Sequence, residues 1–241
     1  MNRIARQLEQ ADRHLININL SIQIMQGDRL DLEEQYKKVI RIIVSQLFEK
    51  ISKKPTRYTI TVAGESGCGK SETAKSIAAE LEKCGFKTII LGQDHYCYLT
   101  PKFNDLKRKE DPDWLGPHVE IKMDLLEKNL KDALKGKDEI IKPVINPDEN
   151  SIKDIKISLV GVKVVIAEGT YATLLKNVDT KIFIARNRLD TLEDRKKRNR
   201  RNEVNDPFTE QVLITEHKII AGHRLLADIV VTKDFEVLFS D

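Results

Sequence analysis

The chain has 241 residues, 40% of them apolar, enough to bury one large α/β core or a domain with an appendage. Its 41 Lys and Arg against 38 Asp and Glu leave a net charge of +3, too small over this length to make nucleic acid or an anionic membrane the main partner. Cys68, Cys84 and Cys97 match no zinc spacing and fit a reduced, cytoplasmic setting. The opening "MNRIARQLEQADRHL" lacks the apolar run of a signal peptide, and no stretch approaches the roughly 18 apolar residues of a membrane span.

Residues 1–55 contain one glycine, Gly27, and one proline, Pro55. From Leu30 onward, Leu32, Tyr36, Val39, Ile40, Ile43 and Leu47 recur at helical spacing, which predicts an amphipathic helix. Such a helix packs on the domain or pairs with a second copy in a homo-oligomer. Pro55 disfavours helix in the residue before it, so 1–55 reads as a helical extension and 56–241 as the main domain.

That domain alternates in period. Strands are predicted at about 57–63, 87–92, 161–167, 181–185 and 228–232, with helices at about 70–84, 122–135, 188–201 and 207–221. Strand–helix alternation implies an α/β fold with a mainly parallel central sheet covered by helices on both faces. Residues 97–121, with Pro101, Pro112 and Pro117, read as a long irregular segment of functional character.

Between the first strand and its helix lies "GESGCGKSE", Gly64, Glu65, Ser66, Gly67, Cys68, Gly69, Lys70, Ser71 and Glu72. Gly64, Gly69, Lys70 and Ser71 fit G-x-x-x-x-G-K-[ST], a loop whose backbone N–H groups and helix N-terminus cradle phosphates. Lys70 brings a mobile charge to the outer phosphates and Ser71 a hydroxyl ligand for magnesium. A guanine reader is absent, because "TKDF" at 232–235 has Phe235 where an aspartate is needed. Asp94 follows the second strand, where ligands gather in open α/β sheets. A carboxylate there can accept the proton of a substrate hydroxyl, or bind magnesium directly or through water. Glu168, after "VKVVIA", can likewise orient the metal or its waters. "RKKRNRR" at 195–201 is either a solvated helix face or a basic patch. Arg198 with Arg201, or Lys197 with Arg200 and Arg201, share a face.

"AGESGCGKSETA", "ILGQDHY", "DPDWLG", "GKDEIIKPVINP", "VVIAEGTYA", the arginine-rich helix and "LADIVV" occur in an order that resembles the uridine kinase and phosphoribulokinase family over about residues 57–235. The resemblance implies a P-loop kinase fold with a lid, here at about 186–206, that transfers the γ-phosphate of ATP to a hydroxyl of a nucleoside, sugar or sugar phosphate with Mg²⁺. It makes Asp94 the catalytic base, puts Asp113 against the sugar, assigns Ser71, Asp94 and Glu168 to the metal, and brings Arg198 and Arg201 onto phosphates beside Lys70. Tyr96, His118, Asn146 and Glu168 are the further acceptor-side residues. Ile145 and Asn146 stand where uridine kinases have a tyrosine and an aspartate, so a pyrimidine platform is missing there and a polyhydroxylated acceptor is expected. The reading from another class is a P-loop ATPase or nucleotide-sensing regulator acting through the N-terminal helices.

Overall fold

The computed structural model describes residues 26–198 and 206–240. Its centre is a six-stranded sheet of β1 (Tyr58–Gly64), β2 (Thr88–Gly92), β5 (Val164–Glu168), β6 (Thr180–Ala185), β7 (Ile229–Thr232) and β8 (Val237–Phe239), in the order β2-β5-β1-β6-β7-β8. All neighbours pair in parallel except β7 with β8. The helices are α1 (Gln26–Lys53), α2 (Lys70–Lys83), α3 (Pro101–Glu110), α4 (Met123–Leu134), α5 (Leu192–Arg198) and α6 (Pro207–Ile220), and β3 (Glu139–Asn146) with β4 (Ser151–Ser158) makes a separate antiparallel hairpin.

Alternation along the strands divides the interior in two. On β5, Val164 and Ile166 face one core while Val165 and Ala167 face the other. The first core holds Ile77 and Leu81 of α2 and the apolar stripe of α1, with Val39, Ile40, Ile43, Val44, Leu47 and Ile51 all buried. The stripe predicted for the N-terminal helix therefore packs on this sheet; the Leu32 side chain lies outside the described ones. The second core is filled by Leu126, Leu130 and Ala133 of α4 and Ile220 of α6.

The sequence-predicted strands and the helices at 70, 122 and 207 form within a few residues of their expected bounds. Three features differ. The segment 97–121 is not simply irregular: Pro101 sits in the first turn of α3, where its missing N–H and fixed φ suit a helix. The buried carboxylate of Glu120 then gathers that segment, accepting from Asn104 Nδ2 at 2.9 Å, from Arg108 Nε at 2.9 Å and from the Gly116 N–H at 3.3 Å. The β3–β4 hairpin is a second departure, since Pro143 within β3 argues against a strand and is tolerated because β3 pairs only with β4. The basic helix begins at Leu192 rather than 188, after an Asn187 turn whose side chain accepts from the N–H groups of Leu189 and Asp190. Its expected end, and with it Arg201, lies outside the described residues, as does the Arg198 side chain.

Candidate active site

Parallel strands deliver their carboxyl ends to one edge, and the phosphate loop, Asp94 and Glu168 all stand there. Gly64 ends β1, Gly92 of β2 is in register with Glu168 of β5, and Asp94 follows Gly92 in a 3₁₀ turn over Gln93–Tyr96. The loop needs its glycines. A Cβ on Gly64 would lie 2.7 Å from both Cys68 Sγ and the Ile184 carbonyl oxygen, and Gly67, at φ 86°, occupies backbone space that side chains avoid. Gly69 caps α2, so that helix points its N-terminus into the loop.

The loop is fastened from the other side by acids outside the motif. Buried Glu65 accepts the Arg188 N–H at 2.7 Å and meets His217 Nδ1 at 2.5 Å. Glu216, buried on α6, accepts from the Ser66 N–H at 2.6 Å and from Ser66 Oγ at 2.9 Å. Glu65 and Ser66, expected among the phosphate ligands, thus act here as fasteners: the Glu65 carboxylate and both Ser66 donors turn to α6 and the segment before α5. Burial pushes the Glu216 carboxyl up, while Lys70 and the Ser66 donors pull it down. Cys68 is inert packing, its thiol raised to about 11 by burial.

Lys70 donates from Nζ to the Glu65 carbonyl oxygen at 3.0 Å. Burial opposes its charge, yet the pKa of Lys70 is held above the ordinary lysine value, with the carboxylates of Glu216, Asp94 and Glu168 supporting the cation. Ser71 Oγ donates to Glu168 Oε2 at 3.2 Å, and Glu168 is raised by burial and by the neighbouring Asp94 charge. Ser71 and Glu168 thus stand together at the end of the loop, with the Asp94 charge near enough to be felt by Glu168. Among the described residues no group of three or more His, Cys, Asp or Glu forms a ready-made metal cage. Glu72 is exposed at the start of α2, and its charge adds to those that raise Glu168.

Arg195 lies beside this loop. It is 2% exposed, its Nη2 donates to the Arg188 carbonyl oxygen at 2.9 Å, and its buried Nε and Nη1 have no hydrogen-bond partner among the described residues. Its alkyl chain lies over Gly67, 3.2 Å from where a Cβ would be. Its place beside the loop makes Arg195 a candidate for a phosphate contact. The family resemblance gives the basic run its phosphate role, and helical spacing within the run offers Arg198 with Arg201, or Lys197 with Arg200 and Arg201. What singles out Arg195 is its seat over Gly67, which periodicity does not reveal.

The acceptor-side expectations fare differently. Tyr96 is a correction: it is fully buried, its hydroxyl accepts from Asn129 Nδ2 at 2.9 Å, and burial raises it to about 12, so it is a core side chain with no face for substrate. Asn146 is turned to the hairpin, its Oδ1 accepting from the N–H groups of Asp148 at 3.0 Å and Glu149 at 3.3 Å. Asp113 and His118 are exposed in the segment after α3, and Asp113 follows Asp111, whose Oδ1 accepts its N–H at 3.2 Å. His95 is brought in by the hairpin: its Nδ1 accepts the Ile145 N–H at 3.2 Å, and burial and Lys142 lower its pKa, which keeps the ring neutral. Glu216 and His217 were missed. The available signal was an acid at the helical spacing of Leu213 and Ile220, on a face that is otherwise apolar and buried.

A family model for the Zeta toxin matches residues 44–143. The bifunctional alpha-galactosidase/sucrose kinase AgaSK of Mediterraneibacter gnavus is 28% identical over 208 residues, which is 80% of this chain but 22% of that protein, so the chain spans about a fifth of this curated relative's length. Among solved structures, a protein designated a fructose transport system kinase from Silicibacter sp. TM1040 superposes with a TM-score of 0.58 at 17% identity, covering 79% of this chain and 98% of that one. A D-glycerate 3-kinase from Cryptococcus neoformans gives 0.57 at 15% identity over 86% and 98%, and a protein designated a uridine kinase from Bacillus stearothermophilus gives 0.54 at 16% over 83% and 98%. The chain has the P-loop kinase fold, a nucleotide-binding fold, and its neighbours include the uridine kinase-like proteins that the motif order resembles.

Proposed function

We propose that the protein is an ATP-dependent kinase that transfers the γ-phosphate to a hydroxyl of a polyhydroxylated small molecule. The observation that carries this reading is the phosphate loop itself, with the charged Lys70 at its end and the Arg195 side chain lying over Gly67. Two cations at one phosphate cradle suit a chain whose outermost phosphoryl group is moved, because charge spreads over its oxygens as the bond to the leaving oxygen lengthens. Ser71 and Glu168, with Asp94 beside them, would hold magnesium, which offsets phosphate charge when bound.

Asp94 is exposed at the sheet edge next to Glu168, within reach of an incoming hydroxyl. It accepts that proton as the oxygen attacks, and Lys70 and Arg195 counter the charge that develops on the phosphates. The acceptor class is read from the hairpin. At Ile145 the side chain is buried and the N–H is held by His95, leaving no aromatic platform for a pyrimidine. Sucrose and glycerate, in the names of two relatives, are such polyhydroxylated compounds.

ADP release from MgATP, measured across sugars, sugar acids, sugar phosphates and nucleosides at equal concentration, tests the reading. It predicts release that depends on a polyhydroxylated compound and is weak with uridine. Release that needs no acceptor would overturn it in favour of an ATPase or nucleotide-sensing role.

A further inference from the structure

Lysine is seldom taken out of water without an acid to meet it. Lys142, midway along β3, departs from that rule: it is 8% exposed, and its ammonium group has neither an acid nor a hydrogen-bond acceptor among the described residues. The other lysines of the hairpin are ordinary. Lys153 and Lys156 on β4 are exposed and meet Glu149 at 3.0 Å and Glu139 at 3.1 Å. Lys142 instead shares a face of β3 with Ile140, which packs in the second core, while Ile141 between them is exposed. A charge thus lies on the inward side of the hairpin with no described side chain to neutralise it.

The same strand reaches the candidate reacting groups. Three residues beyond Lys142, the Ile145 N–H donates to His95 Nδ1 at 3.2 Å, which in the neutral ring leaves the proton on Nε2. His95 directly follows Asp94 in the 3₁₀ turn. Its Cδ2, the atom bonded to Nε2, lies 3.9 Å from where a Cβ on Gly92 would be, and Glu168 Oε1 lies 3.2 Å from the same point. The N–H edge of the ring is therefore beside Glu168, and Nε2 has no acceptor among the described residues. Lys142 is near enough for its charge to act on His95. Two donors without acceptors, one of them a full cation, stand next to the carboxylate that an incoming hydroxyl must approach. Lys70 and the loop N–H groups serve the donor phosphates at the end of β1, so the anion that Lys142 lacks is left to the acceptor.

We propose that the acceptor carries an anionic group, a carboxylate or a phosphate ester, and that Lys142 of the hairpin binds it with the His95 Nε2–H as second donor. A hydroxyl can accept a hydrogen bond from Lys142 but brings no charge to offset the burial of the ammonium group. The inference rests on the kinase reading above and deepens it, because it divides polyhydroxylated compounds into anionic ones that the hairpin holds and neutral ones that it does not.

Acceptor-dependent ADP release by the full chain, measured with matched compounds, tests the assignment. The sets are glycerol, D-glycerate and glycerol 3-phosphate, then D-glucose, D-gluconate and D-glucose 6-phosphate, with sucrose as a further neutral compound. In the wild type kcat/KM should be at least about tenfold higher for an anionic member than for its neutral counterpart, the order of one hydrogen bond to a charged group. Whether the carboxylate or the phosphate member leads identifies the anion. Lys142→Met keeps an unbranched chain for the interior and removes the charge, so the anionic-to-neutral ratio should collapse, with the loss in KM more than in kcat. A merely structural role would move both members alike and leave the ratio in place. Lys142→Gln gives the same reading if Lys142→Met fails to fold. Equal use of neutral and anionic members by the wild type, or an unchanged ratio in the variants, would overturn the inference and leave transfer to a hydroxyl standing. ADP release that depends on none of these compounds would instead overturn the kinase reading.

Discussion

The two ends of the cleft are built by different means. At the donor end the groups are buried and interlocked: Glu65 and Glu216 fasten the loop, α2 aims its N-terminus into it, and Arg195 is pinned over Gly67. On the side proposed for the acceptor, Asp94, Asp113 and His118 are exposed, and the β3–β4 hairpin forms its own small sheet. Phosphates are the same in every nucleotide, so their site can be rigid and preorganised. An acceptor site on exposed turns and a separate hairpin can change with little consequence for the core.

The contrast can be broken from the donor end, where effects should be largest. Lys70→Ala removes the cation that Glu216, Asp94 and Glu168 surround, and transfer should fall by roughly a thousandfold or more while the fold is kept. Steady-state ADP release alongside circular dichroism checks this, and undiminished turnover would remove the phosphate assignment. Asp94→Asn comes next. It should retain MgATP binding and lose about a hundredfold or more in kcat, since the amide keeps the shape but accepts no proton. Loss of nucleotide binding as well would make Asp94 chiefly a metal ligand.

Arg195→Met sharpens the comparison within the donor end. ATP affinity should drop about tenfold, a charge-assisted contact being worth a few kcal/mol at most, and the melting temperature of the ligand-free protein should hold, because two unmet donors leave the interior with the one bond to Arg188. A cooperative collapse in melting temperature with unchanged ATP affinity would make Arg195 structural.

The smallest effect concerns Glu168, whose folded pKa is raised by burial and by Asp94. A raised carboxyl binds its proton more tightly in the folded state. Its contribution to stability is therefore intact below the unfolded value of about 4.3 and is lost as pH rises through the folded value. Glu168→Gln should then melt a few degrees higher than wild type at pH 7 without ligand, with the difference vanishing near pH 4. A lower melting temperature at pH 7 would mean that the Ser71 hydrogen bond outweighs the like-charge cost.

How much of this could be read from the residues follows the same division. Strand and helix periods, the phosphate loop, and Asp94 and Glu168 at strand ends depend on local spacing, and local spacing is written in the chain. Glu216 and Arg195 meet the loop from 150 and about 130 positions away, and only packing decides which member of a helix face arrives there. Tyr96 failed for the related reason that its neighbour Asp94 projects outward while the 3₁₀ turn sends Tyr96 into the α4 core. The hairpin was illegible because its Pro143 reads as a strand breaker unless the partner strand is known to lie on one side only.

The most direct measurement follows the phosphorus. With MgATP and the acceptor that best stimulates ADP release, ³¹P nuclear magnetic resonance should show the γ-phosphate signal replaced by a phosphomonoester in equal amount to the ADP formed. Inorganic phosphate in place of the ester would contradict transfer to a hydroxyl and make the protein a nucleotide hydrolase.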